Sequence, residues 1–403
     1  MALAALIAAV RDAEDGGGLV GTLSIAGRTL IERQARLAAM AGASRVVILV
    51  ERLPGALTGA IDRLRRDGIA VDVARSAGDA ADRFHPDERV LVFADGALAG
   101  SAAIARLAAG PAPALLTIGE GGAPGLFERI DAATRWSGVA LVGGEMLRKT
   151  VAMLGDWDLH STLLRRAVGG SARRVDIADG ADLGEAEPAI LVRTRAGARA
   201  ATQGSLDRDD AGAGWPSRLI YGPIARLAVG VVLERAIESR WLRWGAIALT
   251  LLAAPAVWRG WLAIGLTLMV AGALFESLGR LLAAVRLSPA SAEDRTAALR
   301  TAAFGIVLLV FALHRSTIGW TPLVIAIATI AAMAALARER GVLGRLGGGI
   351  VAPGWTADGD ALVLLFAVFA LAQFTLPGLV ALAFYAGASF AAVQHRLARL
   401  APR

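Results

Sequence analysis

Apolar and polar positions divide the chain into two stretches of different character. From residue 3 to about 193, short apolar runs alternate with segments whose apolar residues recur at helical spacing, the pattern of an open α/β sheet. The runs predict strands over 3–10, 45–50, 69–74, 90–94, 114–118, 138–142 and 189–193. Helices are predicted between them over 29–41, 54–67, 79–84, 101–109 and 158–168. From 194 to 217 the periodicity stops and Arg, Asp, Gly, Ala, Thr and Gln dominate, so this stretch reads as a linker. Over 218–243 apolar residues mix at helical spacing with Arg226, Glu234, Glu238 and Arg240. That pattern predicts an amphipathic helix lying on a membrane face, with Trp241 and Trp244 at the interface.

Beyond 243 charge becomes scarce. A membrane-spanning helix needs roughly 17–25 apolar residues, and six are predicted, over 244–258, 261–285, 298–314, 320–337, 360–374 and 376–394, the first and fifth short. The last two are separated in the stretch around Gln373, Pro377 and Gly378, because Pro and Gly together favour a turn. With an even number of spans, Arg286, Arg295, Arg300, Arg338, Arg340, Arg345, Arg396, Arg399 and Arg403 share one side, against Arg259 and Arg315 on the other. Arginine collects in cytoplasmic loops, so both termini and the α/β domain (1–193) are expected in the cytoplasm, with the multi-pass domain (244–403) in a bacterial inner membrane.

Composition narrows the chemistry. The chain has no cysteine, which excludes disulfides and thiolate metal sites. Its net charge of +7 is almost wholly arginine, with Lys149 the single lysine. No basic stripe with interleaved aromatics is present, so the excess reads as membrane anchoring and attraction to anionic lipid rather than nucleic-acid binding. The opening ten residues lack the basic start of a signal peptide and read as a buried strand.

Three places in the first domain carry candidate chemistry. Gly16, Gly17 and Gly18 follow the first strand, where backbone N–H groups can cradle phosphates, although neither common phosphate-loop spacing occurs and the loop has an ordinary reading too. Asp95 ends the strand Val90-Leu91-Val92-Phe93-Ala94, at the edge where open α/β sheets bind ligands; it either holds a metal there or closes a turn with Gly96. Asp131 and Asp158 are candidates for a second metal or polyol contact, and Asp158 also fits a helix N-cap. His160 has no partner at metal spacing and reads as structural.

The segments Gly27-Arg28-Thr29-Leu30-Ile31-Glu32-Arg33 and Val90–Gly96 resemble the nucleotidyltransferases that make sugar and polyol nucleotides, over about residues 3–170. The resemblance implies a Rossmann-like, GT-A-like fold, CTP as ligand, Mg2+ or Mn2+ at Asp95, and phosphate contacts from Gly16–Gly18 and Arg28. The family's lysine after the glycine loop would fall near Leu19–Gly21, where no cation stands. Six spans behind such a domain resemble the CDP-alcohol phosphatidyltransferases, whose pattern D-G-x2-A-R-x8-G-x3-D-x3-D supplies four metal-binding aspartates. Over 274–300 those positions are not aspartates. The combined resemblance implies a degenerate member of a fused family in lipid head-group biosynthesis, with membrane lipid, nucleotide and polyol phosphate as partners, a scaffold or binding subunit if inactive. The enzyme reading and a homodimer stay open. Inside the second span, Glu276 and Arg280 stand four residues apart, and an intramembrane ionisable pair is a functional candidate.

Overall fold

The computed structural model describes residues 2–119, 127–155, 157–179, 188–208, 214–234, 237–287, 290–315, 319–345 and 353–400, with the side chains of 288–294 left aside. Arg403 and the stretch 209–213 of the expected linker lie outside the described residues. The chain forms two compact units, Met1–Gly204 and Ser205–Arg403.

The first unit is built on a seven-stranded sheet. Its strands are β1 (Leu3–Ala8), β4 (Val46–Leu49), β5 (Val71–Ala74), β6 (Arg89–Phe93), β8 (Ala114–Gly119), β9 (Thr134–Gly143) and β10 (Arg173–Asp176). Their spatial order is β10-β8-β9-β6-β1-β4-β5. β5, β4, β1 and β6 run parallel, β9 is antiparallel to both β6 and β8, and β10 returns parallel to β8. All six residues of β1 are buried, as a central strand covered on both faces requires. Two two-stranded ribbons flank the sheet: β2 (Ser24–Ile25) with β3 (Arg28–Thr29), and β7 (Ala97–Leu98) with β11 (Ile190–Leu191).

Alternate residues of the strands, among them Ala4, Leu6, Val47, Val90 and Val92, pack with Ala80, Leu147, Leu159 and Leu163 from α3 (Ala77–Asp82), α5 (Gly144–Val151) and α6 (Leu159–Gly169). Of the other helices, α2 (Gly55–Arg66) and α4 (Ser101–Ala109) both pack against α1 (Leu30–Met40). α1 begins with a capping box in which the Thr29 side chain accepts from Glu32 N–H and the Glu32 carboxylate accepts from Thr29 N–H. Burial pushes the Glu32 carboxyl up, but hydrogen bonds from Arg63, the Thr29 backbone and Arg28 outweigh it and hold the group at about 2.

The sequence pattern locates α1, α2, α3, α4 and α6 and misses α5. It also gives 189–193 as a sheet strand, whereas only Ile190–Leu191 pair, and with β7 rather than in the main sheet. The expected linker contains a helix, α7 (Arg195–Arg208). Its Ala198, Ala201 and Leu206 are buried, Arg195 N–H donates to Asp15, and Thr202 accepts from Ala26 N–H. A stripe of alanines carries too little hydropathy to register as periodic, yet is enough to seat a helix that tertiary hydrogen bonds also hold.

The second unit is all helical: α8 (Gly222–Glu234) after a π turn at Ser217–Tyr221, then α9 (Ser239–Trp258), α10 (Leu262–Val285), α11 (Ala290–Arg315), α12 (Thr321–Arg345), α13 (Gly359–Leu371) and α14 (Thr375–Leu400). Among the described residues five helices are long and apolar enough to cross a membrane, and α13 is a shorter apolar helix. α9 to α14 coincide in sequence with the six stretches predicted as spans, of which α13 is too short to be counted with the other five. The first is not short: it begins at Ser239 and takes in Arg243, whose charge is matched inside the unit. The stretch 218–243 is thus divided between the π turn, α8 and the start of α9. On α8 Leu227 and Val231 are exposed while Ala225, Val229 and Val232 are buried, so apolar residues occupy both sides.

The break between α13 and α14 falls at Ala372–Phe374, where Gln373 adopts a φ of +64°, and Pro377 sits in the first turn of α14, where its missing N–H breaks no helical bond. Gly265, Gly272 and Gly279, seven residues apart on α10, face α9: a Cβ on Gly272 would lie 3.0 Å from the Ala246 carbonyl, and one on Gly279 2.7 Å from Arg243 Cγ. Small residues let two apolar helices approach closely without a hydrophobic driving force. Val257, Leu266, Phe304, Phe311, Met333, Phe366 and Leu382 belong to one core, with Phe311 edge-on to Phe366 at 4.9 Å between ring centres.

Candidate functional site

Because β1 and β6 are parallel neighbours, their C-terminal ends bring Val10 and Arg11 beside Ala94 and Asp95. Val10 N–H donates to Asp95 Oδ2 at 3.4 Å, while Asp95 Oδ1 is buried with no hydrogen-bond partner among the described residues. Gly96 makes the chain turn here. Its φ of +81° favours glycine, and a Cβ would lie 2.2 Å from the carbonyl oxygen of Val192. That contact is close because Val192 N–H donates to the Gly96 carbonyl at 2.8 Å, tying β11 over the end of β6.

A cavity of about 80 Å³ opens on Asp95, lined also by Arg11, Glu128, Asp158, His160 and Arg193. Asp158 comes from the start of α6, where its Oδ2 accepts from Ser161 N–H at 2.9 Å; Ser161 Oγ in turn donates to Glu128 at 3.1 Å. Burial raises the Asp95 carboxyl to about 6; the Val10 N–H bond and the Arg11 charge oppose that rise, and Asp158 adds to it. Asp158 itself stays below its usual range: burial raises it, and the Ser161 N–H, His160 and Arg11 together outweigh that. His160 is held below the usual histidine range by burial and by Arg11, so it is neutral near pH 7. Its Nδ1 lies 4.0 Å from Asp158 Oδ1.

The structure thus brings Asp95 and Asp158 together and leaves the other sequence candidates elsewhere. Gly16–Gly18 form the tip of a closed turn in which Gly16 N–H donates to Ala13 and the Gly18 carbonyl accepts from Ala13 N–H; they do not line the cavity. A Cβ on Gly17 would meet the Arg195 side chain, Nε at 2.8 Å, so Gly17 packs beside the start of α7. Arg28 pairs with Glu32 at 3.1 Å and with Asp67 at 3.9 Å. Asp131 is occupied: its carboxylate accepts from Ala133 N–H, Thr134 N–H and Thr134 Oγ1 and pairs with Arg174, contacts that hold it far below the carboxylate range. Arg193, Glu128 and His160 enter the cavity from segments distant in sequence, and Arg11 enters it directly after β1.

Among the described residues no group of three His, Cys, Asp or Glu is placed to hold a metal alone. The cavity holds Asp95 with one unpartnered buried oxygen, Asp158 close enough to raise its pKa, Glu128 bonded by Ser161, the neutral His160 and two arginines. Mg2+ commonly takes one or two carboxylates and completes its shell with substrate phosphates and water, so a metal–phosphate pair fits this donor set better than a bare ion.

No protein-family model matches the chain, and no curated protein matches it. Among solved structures it is similar to the inositol-1-phosphate CTP transferase from T. maritima, at 15% identity and a TM-score of 0.37, over 49% of this chain and 91% of that one. The likeness is slight, and the site stands on its own residues.

The second unit holds a larger cavity, about 190 Å³, lined by Glu276, Arg280, Arg300, Arg340, Asp358 and Asp360 among others. Glu276 and Arg280 are not each other's partners. Glu276 lies 3.6 Å from Arg243 of α9, both buried, while Arg280 reaches Asp360 of α13 at 3.3 Å and Ser217 at 2.6 Å. Arg300 pairs with Asp360 at 2.5 Å. Helix spacing made the i,i+4 pair look natural, but both residues have partners on other helices.

Proposed function

We infer that this chain is a membrane-bound nucleotide-binding protein of phospholipid or sphingolipid head-group biosynthesis. Its soluble half binds a cytidine nucleotide together with Mg2+ or Mn2+ at Asp95 and Asp158, and turns it over slowly or not at all. The observation that carries this reading is the buried, unpartnered Asp95 oxygen at the C-terminal end of β6, facing a cavity with Arg11. Open α/β sheets bind ligands at that edge, and the resemblance of Gly27–Arg33 and Val90–Gly96 to polyol nucleotidyltransferases supplies the nucleotide. Impairment follows from the missing cation at Leu19–Gly21 and from the absence of the spaced aspartates over 274–300.

Titrating CTP into the full chain with and without Mn2+ tests it. Mn2+-dependent binding should appear in the wild type and disappear in Asp95→Ala; identical isotherms would reduce Asp95 to a turn residue. The pH dependence has a definite sign. With the Asp95 pKa raised to about 6, proton and metal compete for the carboxylate, so Mn2+-dependent affinity should fall as pH drops below 6, approaching tenfold per unit. A profile with the same slope in Asp95→Asn would assign the fall to the nucleotide's own phosphates.

A second reading has one observation in its favour. Glu276, Asp358 and Asp360 line one cavity, an acidic set drawn from two helices rather than from the family's aspartate pattern. In that reading the protein is an active enzyme, either making a CDP-polyol or transferring its phospho-alcohol to lipid. Pyrophosphate released from CTP with a polyol phosphate, or lipid product formed by the full chain, would favour it.

The setting proposed is the bacterial inner membrane with both termini cytoplasmic, on the strength of the nine-to-two arginine distribution. Trp320, between α11 and α12, is 76% exposed, and the chain has no native thiol. A lone cysteine there should react with an impermeant reagent in intact cells lacking an outer membrane; reaction only after lysis would reverse the topology.

A further inference from the structure

The cavity at Asp95 is small for the ligand proposed for it, and one of its walls is held differently from the others. Its volume is about 80 Å³, whereas sites that enclose organic ligands run to roughly 300–1,000 Å³. A nucleotide therefore reaches Asp95 only if part of the wall moves.

Three sides are fixed. Ala94 and Asp95 follow β6, and Trp136 and Gly138 belong to β9, its neighbour in the seven-stranded sheet. Glu128 is tied to β9, its carbonyl accepting from Trp136 N–H at 2.8 Å. Asp158, His160 and Ser161 stand at the start of α6, whose Leu159, Leu163 and Leu164 are buried in the core.

The fourth side, Leu191 and Arg193, belongs to a strap over residues 189–195. Within it β11 pairs through two residues with β7, itself two residues long, outside the main sheet. A ribbon this short has little stability of its own. The strap is otherwise tied to the end of β6 and to the glycine turn. Val192 N–H donates to the Gly96 carbonyl at 2.8 Å, Glu14 N–H to the Arg193 carbonyl at 3.1 Å and Arg195 N–H to Asp15 Oδ2 at 2.7 Å. The Arg193 side chain also pairs with Glu14 at 3.3 Å, the two being 32% and 58% exposed, and such a pair contributes at most about 1 kcal/mol. Of the strap's side chains Val192 is fully buried, while Ile190, Leu191, Arg193 and Thr194 are half-buried and Arg195 is exposed. Firmer anchorage resumes in α7, where Ala198 and Ala201 are buried. Segments with few buried apolar contacts open locally at lower cost than a central sheet.

We propose that residues 189–195 form a latch that gates the Asp95 cavity. The ligand it admits rests on the nucleotide reading above; the opening itself does not. The latch lifts from β7 to let the nucleotide reach Asp95 and settles back around it, so a latch held shut and a latch held off both lose binding. Because Glu14 and Asp15 are bonded to the latch, the Gly16–Gly18 turn is freed in the same movement.

Two measurements on the full chain test the gate. Hydrogen exchange without ligand reads the opening: the Glu14, Val192 and Arg195 amides should exchange together, roughly a hundredfold faster than the amides of β1 and β4. The paired substitutions Leu98→Cys and Ile190→Cys read its consequence. These residues are opposite each other in the β7–β11 pair, at a Cα spacing of about 4.5–5.5 Å that a disulfide can span, and the chain has no native thiol. Oxidised, this variant should bind CTP with Mn2+ roughly tenfold or more weakly than the same protein reduced, since the competent state is locked out. Equal affinity in the two redox states would overturn the gate. So would latch amides that exchange no faster than the sheet, a result that needs no variant to fold. Absence of CTP binding in the wild type would instead remove the nucleotide reading, and exchange alone would then decide whether the latch opens.

Discussion

Gly96→Ala should unfold or displace the end of β6 and abolish nucleotide binding, although the substitution adds one methyl group. Two effects act together. The φ of +81° at Gly96 disfavours any side chain, by roughly 1–2 kcal/mol for a non-glycine residue in the left-handed region. The added Cβ would also stand 2.2 Å from the Val192 carbonyl oxygen, and this is backbone, which cannot swing aside as a side-chain tip could. Overpacking of this kind costs about 1–3 kcal/mol more. The chain can relieve the overlap only by lifting β11 from β7, which breaks the Val192 N–H to Gly96 bond and shifts Leu191 and Arg193 in the cavity wall. Gly42→Ala is the control, since Gly42 has a φ of +96° with nothing within 4 Å of a Cβ. Hydrogen exchange of the full chain should show lost protection over β7 and β11 in Gly96→Ala and near wild-type protection there in Gly42→Ala. Equal behaviour of the two variants would mean that only backbone strain matters at Gly96.

Asp360→Ala should be the most destabilising single change in the second unit. Asp360 is 3% exposed and is the carboxylate shared by Arg280 and Arg300. Removing one member of a buried ion cluster leaves its partners charged and desolvated, which costs about 3–5 kcal/mol, more than the intact pair contributes. Asp360→Asn keeps an oxygen acceptor and should lose less. Thr267→Ala on α10 removes an exposed hydroxyl that donates to the Ala263 carbonyl of its own helix and should change little. Comparing unfolding midpoints in detergent decides the matter: an Asp360→Ala midpoint no lower than that of Thr267→Ala would show that the two arginines find other anions or water.

Asp95, beside Gly96, and Asp360 also show where local pattern stopped being informative. Asp95 could be singled out in the sequence because a carboxylate ending an apolar run marks the ligand edge of a sheet. That it would be buried beside Asp158 could not be read, because the two are separated by 63 positions and meet only through the placement of α6 and the antiparallel entry of β9. Asp358 and Asp360 open a short apolar helix and look like ordinary capping residues. Their meeting with arginines from three other helices follows from how the spans pack.

Hydropathy by itself determined the division into an α/β domain and an apolar helical domain, the positions of most central strands and the existence of six apolar helices. These are properties of single segments: a buried strand must be apolar throughout, and a span must be long and nearly uncharged, so each leaves its mark locally. Tertiary structure alone decided the sheet order, the helical state of 195–208, the closed form of the Gly16–Gly18 turn and the partners of Glu276 and Arg280. Each of these depends on which distant groups compete for the same hydrogen bond or charge. Asp15 claims Arg195, Arg243 claims Glu276 and Asp360 claims Arg280, and in none of these cases does the partner lie within the reach of a local sequence pattern.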